Sequence, residues 1–252
     1  MGLGKEFIDS RVGWILGRDR TFVGPPVNLE AVAKSAGIDI RHTAMIPEGV
    51  FAIENKLPVI YLQSNFDDEL YSRARQRFTL AHEICHSLFH DFGRDSPGLL
   101  RGTPSGDALE VLCNHGAGQL LVPNDQLLAA AGEDGVAGNE SVLGLAKLFE
   151  VSLDVIVRRI GEVERSLPVD LGFLVTRRDD KKGLRVSASA LDREFRTLVA
   201  EPRNGALFED WMQKLQDAVA QRDQLSVVTA SNYVSRTTAI HEVRLVSTQP
   251  NE

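Results

Sequence analysis

The chain has 252 residues, a formal net charge of -7 and two cysteines. That length leaves room for one large domain or two smaller ones, each with a core of its own. The acidic balance excludes a uniformly basic nucleic-acid binder. Two thiols are too few for a secreted disulfide framework, so a reducing, cytoplasmic setting is expected.

Residues 4–17 carry Phe7, Ile8, Val12, Ile15 and Leu16 at helical spacing. The opening residues are broken by charges and have no long apolar core, so they do not read as a secretory signal. No run approaches the roughly 20 apolar residues of a membrane span. After the break at Pro25 and Pro26, Asn28 is placed to cap a short helix, LEAVAKSA, and Gly37 to end it. Three strand-like runs follow, IDIRHTA, GVFAIEN and PVIYLQS, and their turns predict a small antiparallel sheet.

Residues 67–91 read as one helix with an acidic start, DDEL. A loop rich in Gly, Pro and Ser precedes a second helix, capped by Ser105 or Asp107 and running to Leu121, with Pro123 at its exit. Asn124 caps another short helix, and GEDGVAGNES at 132–141 reads as a linker. SVLGLAKLFEVSLDVIVRRIGEVER then reads as helix, turn, helix, with Ser152 capping the second helix. From Pro168 the pattern becomes two strands around DDKKG, an amphipathic helix over NGALFEDWMQKLQDAVAQRD, and two more strands. The expected organisation is a first domain over 1–131, a linker with a helix-turn-helix-like segment over 132–167, and an α+β module over 168–252.

Within TLAHEICHSLFHD, His82 and His86 are four apart. A helix turns once per 3.6 residues, so the two imidazoles project from one face and can share a tetrahedral ion. Glu83 lies beside them and can reach a water on that ion without binding it, which is the logic of H-E-x-x-H. Leu80, Ile84 and Leu88 recur every four residues and can hold this helix against a core.

A catalytic zinc needs a third protein ligand and an open fourth position. Candidates are His90, Asp91, Asp107, Glu110 and His115. Another turn along the helix carries His90 too far to share the ion easily. Glu110 is better placed, on the next long helix, among small and apolar residues, where a carboxylate on a buried face needs a partner.

The runs RQRFTLAHEICHSLFH and EVLCNHGAGQLLVP resemble the ImmA/IrrE family of bacterial zinc metallopeptidases. The likeness covers roughly residues 24–124, including PPVNLEAVAKSAGIDI and VIYLQSN upstream. The helix-turn-helix segment and C-terminal module resemble the IrrE arrangement, whose C-terminal part is GAF-like. The resemblance implies an α+β, zincin-like domain with His82 and His86 as zinc ligands, Glu83 as general base and Glu110 as third ligand, a gluzincin-type set. It also implies cleavage of a helix-turn-helix transcriptional repressor, switching on stress, DNA-damage or mobile-element genes. Zincins bind an extended substrate as an added strand, which places PVIYLQS at the sheet edge beside the site.

Other residues carry weaker expectations. His115, Arg77 and Tyr61 are candidate donors to a tetrahedral oxyanion. Asn114, one turn after Glu110, is a candidate for holding a ligand from behind. Cys85 and Cys113 read either as small buried residues or as redox controls of the site. Manganese or iron suits two histidines and a glutamate as well as zinc does. The second helix of the helix-turn-helix segment has balanced charge, so direct DNA binding is not favoured. The C-terminal module is a candidate sensor of a small ligand, and no motif names one. The alternatives are a non-proteolytic DNA-binding regulator with a structural metal site, and a partner of a toxin or phage system that binds through the C-terminal module.

Overall fold

Helix α1, Lys5–Arg18, forms because its apolar residues repeat at helical spacing and bury Ile8, Val12 and Ile15. It opens a computed structural model that describes residues 2–18, 24–44, 47–64, 73–93, 96–132, 135–163, 172–179, 183–191, 198–200, 202–221, 225–233 and 238–247. The chain is a mixed α and β structure that divides into two compact units. One holds residues 1–126 and 148–151, the other 127–147 and 152–252.

In the first unit, α2 (Leu29–Ser35) starts where the Asn28 side chain accepts the Ala31 amide at 3.0 Å. Strands β1 (Asp39–Thr43), β2 (Gly49–Glu54) and β3 (Leu57–Gln63) form a sheet in the order β1-β3-β2. The expected all-antiparallel sheet is corrected here: β2 runs antiparallel to β3, but β1 pairs with it in parallel. The reason lies in the turn. Asn55 and Lys56 both have positive φ, 48° and 69°, which makes a two-residue hairpin and commits one side of β3 to β2. Strand β1 takes the other side. PVIYLQS is therefore the central strand, and the expectation that it forms an edge is corrected as well.

The described part of helix α3, Arg73–Ser87, ends before the expected residue 91. The DDEL start lies outside the described residues. Its far end closes locally, with the Ser87 hydroxyl donating to the Ile84 carbonyl at 2.6 Å and the His90 ring to the His86 carbonyl at 3.0 Å. His90 and Asp91 form strand β4, paired with β5 (Gly98–Leu99). Helix α4, Asp107–Leu121, has Gly106 at its N-cap with φ 57° and no side-chain cap, so neither Ser105 nor Asp107 plays that part. At Gly116 an added Cβ would stand 2.6 Å from Ile8 Cγ1 and 2.9 Å from Cys85 Sγ. Only a bare α-carbon lets α1, α3 and α4 meet there. Helix α5 is Asn124–Ala131.

Helix α6 runs Asn139–Phe149 and α7 Leu153–Val163, so α6 begins inside the expected linker. Glu150, in the turn between them where glycine is usual, sits at φ 52°, with its carboxylate 2.9 Å from Arg73 Nε. The Ser152 hydroxyl accepts the Val155 amide at 3.4 Å.

In the second unit, β6 (Gly172–Asp179), β7 (Gly183–Ala190), β8 (Leu225–Tyr233) and β9 (Thr238–Ser247) form an antiparallel sheet in the order β7-β6-β9-β8. Leu174, Val186 and Val243 pack with Trp211, Met212 and Leu215 of helix α8 (Phe208–Ala220). Side chains alternate along a strand, so the other face carries Arg177, which reaches Asp154 of α7 at 2.5 Å, and Ala190, beside Gly161 of α7. The sheet is thus covered on both faces, and Phe173, Leu174 and Val175 are fully buried. Among the described residues, no helix is long and apolar enough to cross a membrane.

Candidate metal centre

Two packed helices bring the site together. α3 buries Leu80, Ala81 and Ile84, which orients the helix and turns His82 and His86 toward α4. Their Nε2 atoms lie 3.0 Å apart. Glu110, in the first turn of α4, places Oε2 3.1 Å from His82 Nε2 and Oε1 3.5 Å from His86 Nε2. The three donor groups all lie within 4.8 Å of one another.

The chemistry of this donor set fits a metal ion. Tetrahedral zinc with bonds of about 2.0–2.1 Å separates its ligand atoms by about 3.3 Å, and these three side chains stand at that spacing. Asn114, one turn along from Glu110, presents Oδ1 3.0 Å from His82 Nδ1. An amide oxygen only accepts, so Nδ1 of His82 carries the proton and Nε2 keeps a lone pair that could hold an ion. Burial, followed by the charge of His82, pushes His86 below its ordinary pKa and favours the neutral, ligating form.

Glu110 departs from expectation in one respect. Its side chain is 51% exposed, so it stands at an open mouth of the site and not on a buried face. The first turn of α4 projects past the core, which leaves one side of the donor set accessible.

Glu83 points a different way, toward the sheet. It is buried, and its Oε2 accepts the amide of Phe51 on β2 at 2.8 Å. Burial pushes its carboxyl pKa up, while the charge of His82 and the Phe51 hydrogen bond oppose the rise. At Gly49 a Cβ would stand 2.6 Å from Thr79 Cγ2 and 2.9 Å from Glu83 Cγ, so β2 reaches α3 only through a glycine. The Phe51 amide was invisible to sequence reasoning, because a backbone N–H has no residue type. A glycine opening a strand was the one signal present.

The remaining candidates sit elsewhere. His115 turns to α1, with Nε2 2.8 Å from Asp9 Oδ1, because five residues along a helix point nearly half a turn away from Glu110. Arg77 donates to the Val27 carbonyl at 3.0 Å and lies 3.8 Å from the Glu150 carboxylate. Tyr61 donates to Glu54 and receives Arg41 at 3.2 Å. It pairs with Val50, so it occupies the sheet face opposite Gly49 and Phe51, which meet α3. His90 packs its ring, tilted by 50°, against Phe51 with centroids 4.9 Å apart, and is not in the donor set. Cys85 and Cys113 are both fully buried free thiols. Burial pushes Cys85 well up and Cys113 up to about 12, which suppresses the reactive thiolate.

Comparison with known proteins follows the same stretch of chain. Residues 33–161, just over half of it, match the family model described as the IrrE N-terminal-like domain, Peptidase_M78. The radiation response metalloprotease IrrE of Deinococcus radiodurans is 32% identical over 134 residues, which is 48% of this chain and 40% of that protein. The protein of the same name from Deinococcus deserti is 42% identical over 84 residues, 31% of this chain and 28% of its own length. The chain therefore spans well under half of either relative. A Mycobacterium tuberculosis transcriptional regulator superposes with a TM-score of 0.47 at 17% identity, over 95% of this chain and 80% of that one.

Proposed function

From the premise that the chain belongs to the ImmA/IrrE family of IrrE N-terminal-like metallopeptidases, we propose that it is a zinc-dependent endopeptidase of the gluzincin type. The observation that carries this reading is the convergence of His82, His86 and Glu110 within 4.8 Å, with Glu83 on the adjoining face of the same helix.

His82 and His86 would hold the ion through Nε2, and Glu110 through its carboxylate. A bound zinc supplies Lewis acidity, lowering the pKa of water toward neutrality and polarising a carbonyl. Asn114 fixes the His82 ring. Glu83 takes a water proton on its carboxylate and passes it to the leaving amine. Burial, which raises its affinity for a proton, suits that transfer. The exposed side of Glu110 is where a peptide has access.

The substrate we propose is a helix-turn-helix transcriptional repressor, cleaved to induce a stress or DNA-damage response. The name of the two Deinococcus relatives, radiation response metalloprotease, supports that setting. We read 168–252 as a GAF-like sensory module. Its sheet supports this, as does a cleft of 320 Å³ between that sheet and α7, lined by Arg158, Glu162, Ser187, Ser189 and Asn204.

The DNA-binding alternative is weakened by α7. Its Arg159 is buried beside Glu162, its Asp154 pairs with Arg177, and its exposed Arg158 donates to the Ser187 carbonyl at 2.6 Å. A helix committed in this way to a sheet has few groups left for base edges. The test is a Glu83→Gln variant co-expressed with candidate repressors. It keeps the metal and loses cleavage, and retained cleavage would remove the proposed mechanism.

A further inference from the structure

The proposed general base has a partner that is not a side chain. Strand β2 is an edge of its sheet. In an antiparallel pair, alternate residues turn their N–H away from the neighbouring strand. The Phe51 amide is one that goes to α3, where it donates to Glu83 Oε2 at 2.8 Å. The other carboxylate oxygen, Oε1, lies 3.2 Å from the place a Cβ would take at Gly49. The bare α-carbon at 49 therefore does two things. It lets the strand come close enough for the Phe51 bond, and it leaves Oε1 uncrowded.

Phe51 is braced in turn. Its ring packs against His90 at 4.9 Å and Phe92 at 6.5 Å, and the His90 Nδ1–H donates to the His86 carbonyl. One residue of β2 thus touches Glu83 through its backbone and, through His90, the backbone of a ligand histidine.

We infer that Phe51, through its main-chain amide, and Gly49, through its missing side chain, are positioning residues that fix the Glu83 carboxylate with Oε1 directed to the reacting water. The inference rests on the peptidase reading above. A glutamate side chain loses rotamer freedom when held, and a glutamate held in the reactive rotamer does not lose that freedom again in the transition state. The bond from the Phe51 amide to Glu83 acts on the rate and touches none of the side chains of His82, His86 and Glu110.

Two measurements on the full chain test it. The first needs no activity. In the amide NMR spectrum of the ¹⁵N-labelled protein, the Phe51 proton is shifted downfield and protected. Glu83→Ala moves it upfield and speeds its exchange by about tenfold or more. Exchange equally fast in the two proteins overturns the inference. The second compares Phe51→Pro, which removes the amide hydrogen at an edge position that tolerates proline, with Phe51→Ala, which keeps it. With zinc-loaded protein and β-casein as probe, kcat of Phe51→Pro falls about tenfold or more below that of Phe51→Ala. KM and zinc affinity agree between the two variants within about twofold. Equal kcat values overturn the inference. If the wild type leaves casein uncut, the peptidase reading loses support, and the amide measurement still decides the positioning.

Discussion

Oε2 of Glu110 lies 3.1 Å from Nε2 of His82, across the interface between α3 and α4. With the His82 proton on Nδ1, this contact brings two lone pairs together, an arrangement that an ion relieves and that bare side chains do not favour. Removing the carboxylate is therefore expected to cost metal binding directly. Zinc affinity of Glu110→Ala should fall by about a hundredfold or more, read by competition with a chromophoric chelator, while Glu83→Gln stays within about threefold. Unchanged affinity in Glu110→Ala would mean that another residue is the third ligand.

Asn114 lies outside the donor set and should still matter. Its Oδ1 holds the His82 tautomer. Outer partners of this kind are worth about 10–100-fold in metal affinity or activity. Asn114→Leu is expected to lose affinity in that range, and Asn114→Asp, which still accepts from Nδ1, to recover most of it. A Leu variant as tight as wild type would leave Asn114 with no role at the site.

Gly116 tests the packing that sets the two helices together. A methyl group there meets Ile8 Cγ1 at 2.6 Å and Cys85 Sγ at 2.9 Å. Overpacking of that sort costs about 1–3 kcal/mol. Gly116→Ala should lower stability by that amount in urea unfolding, and Ile8→Ala, which removes Cγ1, should cost less in that chain than it does alone. Additive losses in the double variant would place the strain elsewhere.

The second unit carries its own pH dependence. His241 is buried on β9, 2.8 Å from the Thr176 hydroxyl and 2.7 Å from the Ser231 hydroxyl, with Phe208 stacked on its ring. Burial lowers its pKa, and the charge of Glu209 opposes that fall only in part. The folded pKa is thus below the unfolded value near 6.5, and the unfolded chain binds more protons in the window beneath it. The stability contributed by the neutral ring is present above pH ~6.5 and is lost as pH falls through the depressed folded value. Guanidinium unfolding followed at β6 and β9 amides should show a larger loss from pH 7 to pH 5 in wild type than in His241→Gln. An equal loss in both would assign the acid sensitivity to other groups.

Much of the first unit was legible because its signals are local. The i, i+4 spacing of His82 and His86 and the apolar repeat of Leu80, Ile84 and Leu88 need only the geometry of one helix. The same holds for Asn28 at its cap and for the strand runs of β2 and β3. What misled were the inferences about strand partners and about which side chains turn to the site. The three runs read as an antiparallel sheet, because nothing in β1 records the direction of its partner. Tyr61 lies on the wrong face through its register with Val50. His115 follows Asn114 by one residue and points to Asp9 instead.

By itself the sequence determined that a helix presents two imidazoles and a glutamate in metal-binding order, and that a second helix carries a carboxylate and an amide one turn apart. Rise and turn per residue settle such arrangements before any packing occurs. Only the tertiary structure decided that Glu110 faces His82 and not solvent alone, that Asn114 and not His115 turns to His82, and that a backbone amide of β2 meets Glu83. Those depend on how closely two helices and a sheet edge approach. That distance is set by bare positions such as Gly49 and Gly116, whose effect lies in the space they leave for residues far away in the chain.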